Sequence, residues 1–165
     1  MKLRIALAQV NPTVGDLAAN AALVRENFKS AQEAGAHIVV FPEMVLTGYP
    51  VEDLALRPSF QIASQNALAE LAKSLTGKSV AIVGYLDQVD GAPQNMVAVI
   101  SDGVVSARYA KCHLPNYGVF DEFRNFVPGD KTLVVRIHGV DVGIAICEDL
   151  WIDGGITSQL AARKP

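Results

Sequence analysis

Hydrophobic residues recur at steps of three and four in two segments of the chain, which is the spacing of one buried helix face. The first segment begins after Asp16, whose side chain suits a helix N-cap, and ends at Gly35, which suits a left-handed C-terminal cap. The second segment runs from Ser59 to Leu75 and is closed by Gly77. We predict two amphipathic helices, the second with these residues facing the core: Ile62, Leu68, Leu71 and Leu75.

Short apolar runs bounded by turn residues predict the strands. A strand, a helix and a second strand occupy roughly the first 40 residues, which is typical of a βαβ unit, although this stretch also allows the two strands to pair antiparallel. Asp-Gly and His-Gly pairs at 102–103 and 138–139 indicate hairpin turns. The predicted fold class is α/β with added antiparallel ribbons, built from a buried strand at Leu3–Gln9, strands at His37–Phe41 and Ser79–Tyr85, a hairpin of Asn95–Ile100 with Val104–Lys111, and a hairpin of Leu133–Ile137 with Val140–Ile146.

Two further stretches carry no strand pattern. Residues 112–131 have no regular period and combine prolines and glycines with aromatic side chains. A long irregular segment inside a compact domain is more often functional than accidental. Residues 156–164 begin a third helical run.

Length and charge restrict the classes of function. The chain has 165 residues, enough for one domain at roughly 150 residues each. Its 14 Lys and Arg against 17 Asp and Glu give a net charge of −3, which speaks against a nucleic-acid-binding surface. With 50% hydrophobic and 19% charged residues, the composition is that of a globular protein. The N-terminus lacks the apolar core of a signal peptide, and no run reaches the about 18 apolar residues of a membrane span, so we expect a cytoplasmic protein that binds no membrane.

The spacing of cysteines and histidines gives no sign of a metal site. Cys112 and Cys147 form no C-x-x-C pair and the histidines share no ligand spacing, so we predict neither a disulfide framework nor a bound metal. Cys112 alternates with Lys111 on the predicted strand, so it points to the opposite face and is interpreted as a packing residue.

One motif match is set aside because its context is reversed. Residues 72–79 fit a relaxed phosphate-loop pattern, but they lead from a helix into a strand. A phosphate loop leads from a strand into a helix, whose N-terminus then faces the anion. We therefore interpret Gly77 as a helix cap.

Three reactive side chains each follow an apolar strand, where rigid scaffolds present catalytic groups. They are Glu43, Lys111 and Cys147. Each alone has an ordinary explanation, as a solvated charge or a small core thiol, but together they make a nucleophilic set. Cys147 would attack an sp2 carbon, Glu43 would move protons, and Lys111 with the N–H of Glu148 would stabilise the oxyanion. The protonation state of the resting thiol stays open, because a nearby lysine lowers its pKa and a buried carboxylate raises it.

Three stretches around these residues resemble the signature regions of the nitrilase or carbon-nitrogen hydrolase superfamily. They are Phe41-Pro42-Glu43, residues 109–124 (YAKCHLPNYGVFDEFR) and residues 143–151 (GIAICEDLW). Within that superfamily, LPNYGVFDE and ICEDLW are most similar to the N-terminal glutaminase domain of glutamine-dependent NAD synthetases. The similarity runs from Met1 to about Gln159.

The resemblance implies an α-β-β-α sandwich of two stacked sheets with helices on both outer faces. Residues 1–165 would hold only part of it, incomplete at the C-terminus. The ammonia-dependent synthetase domain, with its ATP and Mg²⁺, would be absent, because no S-G-G-x-D-[ST] loop occurs in this sequence. Such a part would leave apolar strand faces open, so we expect a homo-oligomer.

The resemblance also implies a reaction and roles for residues. The domain would hydrolyse L-glutamine to glutamate and ammonia through a thioester, without a cofactor of its own, and the ammonia would amidate nicotinic acid adenine dinucleotide in the synthetase domain. Glu43 would be the general base, Lys111 the oxyanion stabiliser and Cys147 the nucleophile. The substrate pocket would contain Tyr117, Phe120, Glu148 and Trp151, with Glu148 binding the α-amino group and Glu122 supporting the lysine.

Other interpretations of these residues remain open. The aromatic side chains also fit an ordinary core, and Glu122 could form a structural ion pair with Arg124. A free-standing amidase acting on another small amide or nitrile would share the same three reactive groups. An inactive fragment that serves only as an assembly module is the third alternative.

Overall fold

The computed structural model describes residues 2–162, and its main feature is a five-stranded mixed sheet. The strand order follows the sequence, from β1 at one edge to β5 at the other. The first three strands are parallel and the last three antiparallel, which settles the pairing that the sequence left open. The strands are β1 (Ile5–Leu7), β2 (Ile38–Val40), β3 (Val80–Val89), β4 (Ala92–Ser101) and β5 (Val104–Ala110).

Two helices cover one face of this sheet. Helix α1 (Leu17–Glu33) is capped by Asp16, whose Oδ1 accepts the N–H of Ala19 at 3.0 Å, and the chain leaves it through Gly35 at φ +77°. Helix α2 is Pro58–Ser74. A buried core joins both helices to the sheet, with residues such as Val24, Phe28, Leu68, Leu71, Val39 and Val83. The helix layer is therefore the one that the apolar spacing predicts.

A second sheet and a third helix lie on the opposite face. Strands β6 (Leu133–Ile137) and β7 (Val140–Ile144) form a hairpin whose inner side chains pack on β2 to β5 in a second core. Helix α3 (Ile156–Ala162) lies on the outer side of that hairpin, where Leu160 covers Gly143 closely enough that a Cβ there would be 3.2 Å from Leu160 Cδ1. The order of layers is helix, sheet, sheet, helix, as expected for the sandwich.

Two histidines meet at the turn of this hairpin. The rings of His37 and His138 lie 4.7 Å apart at their centroids, and His37 Nδ1 accepts the backbone N–H of Arg4 at 2.9 Å. The contact anchors the β6–β7 turn to the start of β2. Sequence spacing gave no sign of it, since about one hundred residues separate the two.

Several boundaries differ from the sequence prediction. Strands β3 and β4 are longer than predicted and are joined by a two-residue turn at Asp90-Gly91, both at positive φ. Strand β7 ends at Ile144, because the chain then turns toward Cys147. The end predicted for the third helix at Lys164 lies outside the described residues.

Two burial predictions are wrong. Ile62 is 54% exposed, and the first part of α2 is instead buried through Gln61 and Ser64. Strand β1 is an edge strand and only partly covered, with Ile5 52% and Leu7 68% exposed. A run of apolar residues shows that a strand packs on something, but not that both of its faces are covered.

Between β5 and β6 the chain has neither helix nor strand, as the sequence predicts for residues 112–131. None of the helices within residues 2–162 is both long enough and apolar enough to cross a membrane.

Candidate active site

Glu43 is presented by a tight turn that follows β2 and crosses β3 at Gly84. A Cβ on Gly84 would collide with the backbone nitrogen of Met44 and lie 2.8 Å from the carbonyl oxygen of Pro42. The turn is held there because the N–H of Leu46 donates to the Gly84 carbonyl at 3.1 Å. The absence of a side chain at Gly84 thus sets the position of Glu43 above the sheet.

Lys111 lies directly after β5 and bridges two carboxylates. Its Nζ is 2.7 Å from Glu43 Oε1 and 2.9 Å from Glu122 Oε1, and the residue is 1% exposed. Glu122 reaches the lysine because its backbone is fixed by a turn, in which its N–H donates to Pro115 and its carbonyl accepts from Phe126. The irregular segment therefore supplies the second carboxylate.

The opposite charges in this network shift the pKa values of its members. Burial alone would lower the pKa of Lys111, but the adjacent carboxylates of Glu43 and Glu122 outweigh it and the net pKa is raised. Burial raises the pKa of Glu122, and Lys111 partly offsets that effect. Lys111 is therefore a fixed positive charge at neutral pH.

Cys147 opens a short 3-10 turn, Cys147–Leu150, that follows β7. Its φ of +46° lies in the left-handed region, which costs a non-glycine residue roughly 1–2 kcal/mol and is common where reactive groups are held in place. Burial and then the charge of Glu43 raise the pKa of the thiol, while Lys111 opposes them. At neutral pH the resting group is accordingly the thiol, with Glu43 as the nearby base.

Two residues of the network were missed by sequence analysis. Asn95 on β4 is 1% exposed and its Nδ2 donates to Glu43 Oε1 at 2.6 Å. Tyr49 donates its hydroxyl to Glu122 Oε1 at 2.9 Å, and burial followed by this hydrogen bond raises the pKa of the phenol. Lone polar residues in a strand and a loop carry no local signal, because their partners are distant along the chain.

The predicted pocket residues divide between two cavities. Tyr117 and the buried Glu148 line one of about 550 Å³, where the tyrosine hydroxyl donates to Glu148 Oε2 at 2.8 Å. Phe120 and Glu122 line the other, of about 270 Å³, together with Tyr49. The two parts touch, since the rings of Tyr117 and Phe120 meet edge to face with centroids 5.7 Å apart.

Trp151 is not part of either cavity and is 72% exposed. Tyr117 is 59% exposed, so neither it nor Trp151 is an ordinary core aromatic residue. Cys112 packs at the edge of the second core, as interpreted from the sequence.

The alternative pairing of Glu122 with Arg124 is wrong. Arg124 points away and bonds three exposed carboxylates, Asp121, Asp53 and Glu52, at 2.7–2.9 Å. These contacts tie the irregular segment to the 3-10 turn Glu52–Leu56, whereas Glu122 turns inward to Lys111. Among residues 2–162, no group of three or more His, Cys, Asp or Glu side chains is arranged to hold a metal ion.

Comparison with known proteins identifies the family. The sequence model of carbon-nitrogen hydrolases matches residues 4–163. The chain belongs to the carbon-nitrogen hydrolase family. This match includes every residue of the network around Lys111 as well as Cys147.

Relatives of this carbon-nitrogen hydrolase are longer proteins. The chain is 44% identical to a glutamine-dependent NAD(+) synthetase of Thermotoga maritima over 151 residues, which are 91% of this chain and 26% of that protein. It is also 44% identical to the enzyme of the same name from Xylella fastidiosa, covering 90% of this chain and 28% of the relative. The chain therefore spans between a quarter and a third of the length of these relatives.

Solved structures show the same fold. A glutamine-dependent NAD+ synthetase from Acinetobacter baumannii, in complex with ADP, superposes with a TM-score of 0.90 at 38% identity over 96% of this chain and 30% of that one. A mutant of the Nesterenkonia AN1 amidase from the nitrilase superfamily superposes with a TM-score of 0.82 at 23% identity, covering 98% and 62%. The sandwich architecture inferred from the sequence is thus confirmed.

Proposed function

We propose that this chain is the glutamine-hydrolysing part of a glutamine-dependent NAD synthetase, which releases ammonia from L-glutamine through a thioester at Cys147. The observation that carries the proposal is the buried Glu43–Lys111–Glu122 network beside a thiol held at positive φ. The relatives with about 44% identity supply the name of the whole enzyme.

In the first step the Cys147 sulfur attacks the side-chain amide carbon and its proton passes to Glu43. Asn95 and Lys111 both donate to Oε1 of Glu43, so Oε2 takes no part in these two hydrogen bonds. Oε2 is therefore the oxygen available to take the proton. The negative charge that forms on the amide oxygen is stabilised by Lys111 and by the N–H of Glu148, which has no acceptor within its short turn.

In the second step the carbon–nitrogen bond breaks and Glu43 returns the proton, so that ammonia leaves and a thioester remains. A water molecule then attacks the thioester carbon while Glu43 takes one proton of the water. The carbon–sulfur bond breaks, glutamate leaves, and Glu43 gives that proton to the sulfur, which restores the thiol of Cys147. Glu122 holds Lys111 in place throughout, because its Oε1 accepts a second hydrogen bond from Nζ at 2.9 Å. The cycle needs no cofactor in this domain.

Glu148 would bind the α-amino group of glutamine through an ion pair. This carboxylate is 7% exposed, lines the 550 Å³ cavity and bonds Tyr117 through one oxygen. A buried carboxylate facing a cavity favours a ligand with a positive charge. Phe120 supports the ring of Tyr117 edge to face, and the exposed Trp151 would border the substrate from the surface side.

The partners follow from the same proposal. The ammonia would pass to a synthetase domain that uses ATP and Mg²⁺ to amidate nicotinic acid adenine dinucleotide, in a cytoplasmic homo-oligomer. Residues 1–165 would then be the first part of the carbon-nitrogen hydrolase domain of a longer enzyme, which agrees with their covering 26–28% of the relatives.

The test is a Cys147→Ala substitution in the full-length protein. We expect glutamine-dependent NAD synthesis to be lost, while synthesis from added ammonia stays within about twofold of wild type. Cys112→Ala is the matched control and keeps both activities. Loss of the ammonia-dependent reaction as well would contradict the proposed division of labour, and hydrolysis of simple amides in preference to glutamine would contradict the substrate.

A further inference from the structure

Asp149, two residues after the candidate nucleophile, is a buried carboxylate that the reaction above does not use. It is 0% exposed and forms no salt bridge within the described part of the chain. A charge that is removed from water without a counter-ion must be stabilised by hydrogen bonds. The contacts of Asp149 therefore explain why it is there.

Four donors converge on this carboxylate. Oδ1 accepts the backbone N–H groups of Cys112 at 3.1 Å and His113 at 2.8 Å. Oδ2 accepts the hydroxyl of Tyr109 at 2.7 Å and the N–H of Ile146 at 3.0 Å. Three of these partners are backbone N–H groups, which can only donate, so the side-chain oxygens of Asp149 must accept from them, whereas the Tyr109 hydroxyl can donate or accept.

These contacts join the two halves of the candidate active site. Ile146 immediately precedes the nucleophile, and Cys112 immediately follows Lys111. One side chain thus links the turn that carries the thiol to the end of the strand that carries the catalytic lysine. The turn needs such a restraint, since Cys147 is at positive φ without being a glycine.

We propose that Asp149 is the positioning residue of the nucleophile, and that its carboxylate fixes the distance between Cys147 and the Glu43–Lys111 pair. The proposal rests on Cys147 being the nucleophile. Asp149 touches neither the substrate nor the reacting atoms, so it acts through Ile146 and Cys112.

The geometry predicts which contact fails in an Asp149→Asn variant. An amide NH₂ at the Oδ1 position would face two backbone N–H groups, neither of which can turn away. At the Oδ2 position it would face the Tyr109 hydroxyl, which can rotate and become the acceptor, and the N–H of Ile146, which cannot. The NH₂ group therefore takes the Oδ2 position, and the bond to Ile146 is the one lost.

The experiment compares Asp149→Asn with two controls in the full-length protein. Tyr109→Phe removes only the hydroxyl donor, and Leu71→Ala lowers stability from the helix layer, far from the site. Three quantities are measured for each variant: kcat and KM for glutamine, and the pH midpoint at which iodoacetamide alkylates Cys147, with the alkylated residue located by peptide mapping.

For Asp149→Asn we expect kcat to fall at least about tenfold with KM within about threefold. We also expect the alkylation midpoint of Cys147 to move down toward that of an ordinary thiol, because a displaced thiol leaves the burial and the Glu43 carboxylate that together raise its pKa. Leu71→Ala should leave the midpoint unchanged and kcat per folded molecule within about twofold. Tyr109→Phe should lie close to wild type.

An unchanged midpoint and kcat in Asp149→Asn would overturn the proposal, and so would equal changes in Leu71→Ala at the same loss of thermal stability. If Asp149→Asn does not fold, Asp149→Glu is used instead. It keeps a carboxylate that can accept four hydrogen bonds but moves it by one methylene, so wild-type kcat and midpoint in this variant would contradict a positioning role. If the wild-type protein does not hydrolyse glutamine, the proposed function fails, while the alkylation midpoints still test Asp149.

Discussion

At the scale of single residues, Lys111 is the group on which the candidate active site depends. It is buried between Glu43 and Glu122, and both carboxylates direct an oxygen at its Nζ. Removing the cation would leave two carboxylates facing each other in a buried site, where one of them must take up a proton.

Lys111→Met, which keeps the length of the side chain, should lower kcat for glutamine hydrolysis by about 10² to 10³ because the oxyanion loses its charged donor. Steady-state kinetics on the purified variant measure this. Lys131→Met, in the same irregular segment but exposed, is the control and should keep wild-type rates. A Lys111→Met enzyme with more than a tenth of wild-type kcat would argue against the role assigned to the lysine.

The thiol of Cys147 provides a pH test. Its pKa is raised by burial and by Glu43, so the thiolate forms later than in an ordinary thiol, whose pKa is about 8.5. Alkylation of Cys147 by iodoacetamide should therefore reach its midpoint at a higher pH than alkylation of a free thiol under the same conditions. Glu43→Gln removes one negative charge and should move the midpoint of this rise to lower pH; a midpoint at or below that of a free thiol in the wild type would refute the interpretation.

At the scale of elements, the candidate site lies where strand ends and turns meet, and the turn that carries Glu43 packs directly on β3. The turn that carries Glu43 passes directly over Gly84, with no room for a methyl group. Asn95 on β4 and Lys111 after β5 approach the same carboxylate from the neighbouring strands. The sheet register thus sets the geometry of the polar network.

Gly84→Ala should displace the turn and with it Glu43, giving at least a tenfold loss of kcat and a loss of stability of about 1–3 kcal/mol. Gly91→Ala at the tip of the β3–β4 hairpin is the matched control, because nothing lies within 4 Å of its Cβ and its φ of +83° strains only the turn. The control should lose stability with kcat unchanged. Denaturant unfolding and kinetics on both variants separate the two effects, and equal kcat values would show that Gly84 does not position the base.

The elements that the sequence predicts well are those whose signals are local. Helix α1 has its Asp16 cap and its Gly35 terminator, and the turns at 102–103 and 138–139 have glycine where positive φ is required. The turn at Asp90-Gly91 carries the same signal, but it lies beyond the predicted ends of β3 and β4 and was not predicted. No such local signal marks Asn95, Tyr49 or Asp149. Each of them forms a hydrogen bond with a residue that lies far away along the sequence, so only the folded chain shows the contact.

At the scale of the whole molecule, the helix-covered face of the large sheet is closed and the other face is only partly covered. The hairpin β6–β7 packs on β2 to β5, while Ile5 and Leu7 on β1 are left exposed on that same face. An edge strand with exposed apolar side chains favours association with another chain.

The chain of 165 residues, produced by itself, should therefore self-associate through this face. Sedimentation velocity at several protein concentrations measures it, and we expect Leu7→Lys to shift the distribution toward monomer. Ile62→Lys, which changes an exposed apolar residue on helix α2 at the opposite face of the sheet, is the control and should leave the distribution unchanged. A monodisperse monomer at high concentration would contradict the expectation.

The most direct test of the proposed site is labelling with a glutamine-like diazo ketone, followed by intact-mass measurement and peptide mapping. We expect a single adduct on Cys147, none on Cys112, and slower labelling when L-glutamine is present. No adduct, or equal labelling of both cysteines that glutamine does not slow, would contradict the claim that this carbon-nitrogen hydrolase holds a glutamine-hydrolysing site at Cys147.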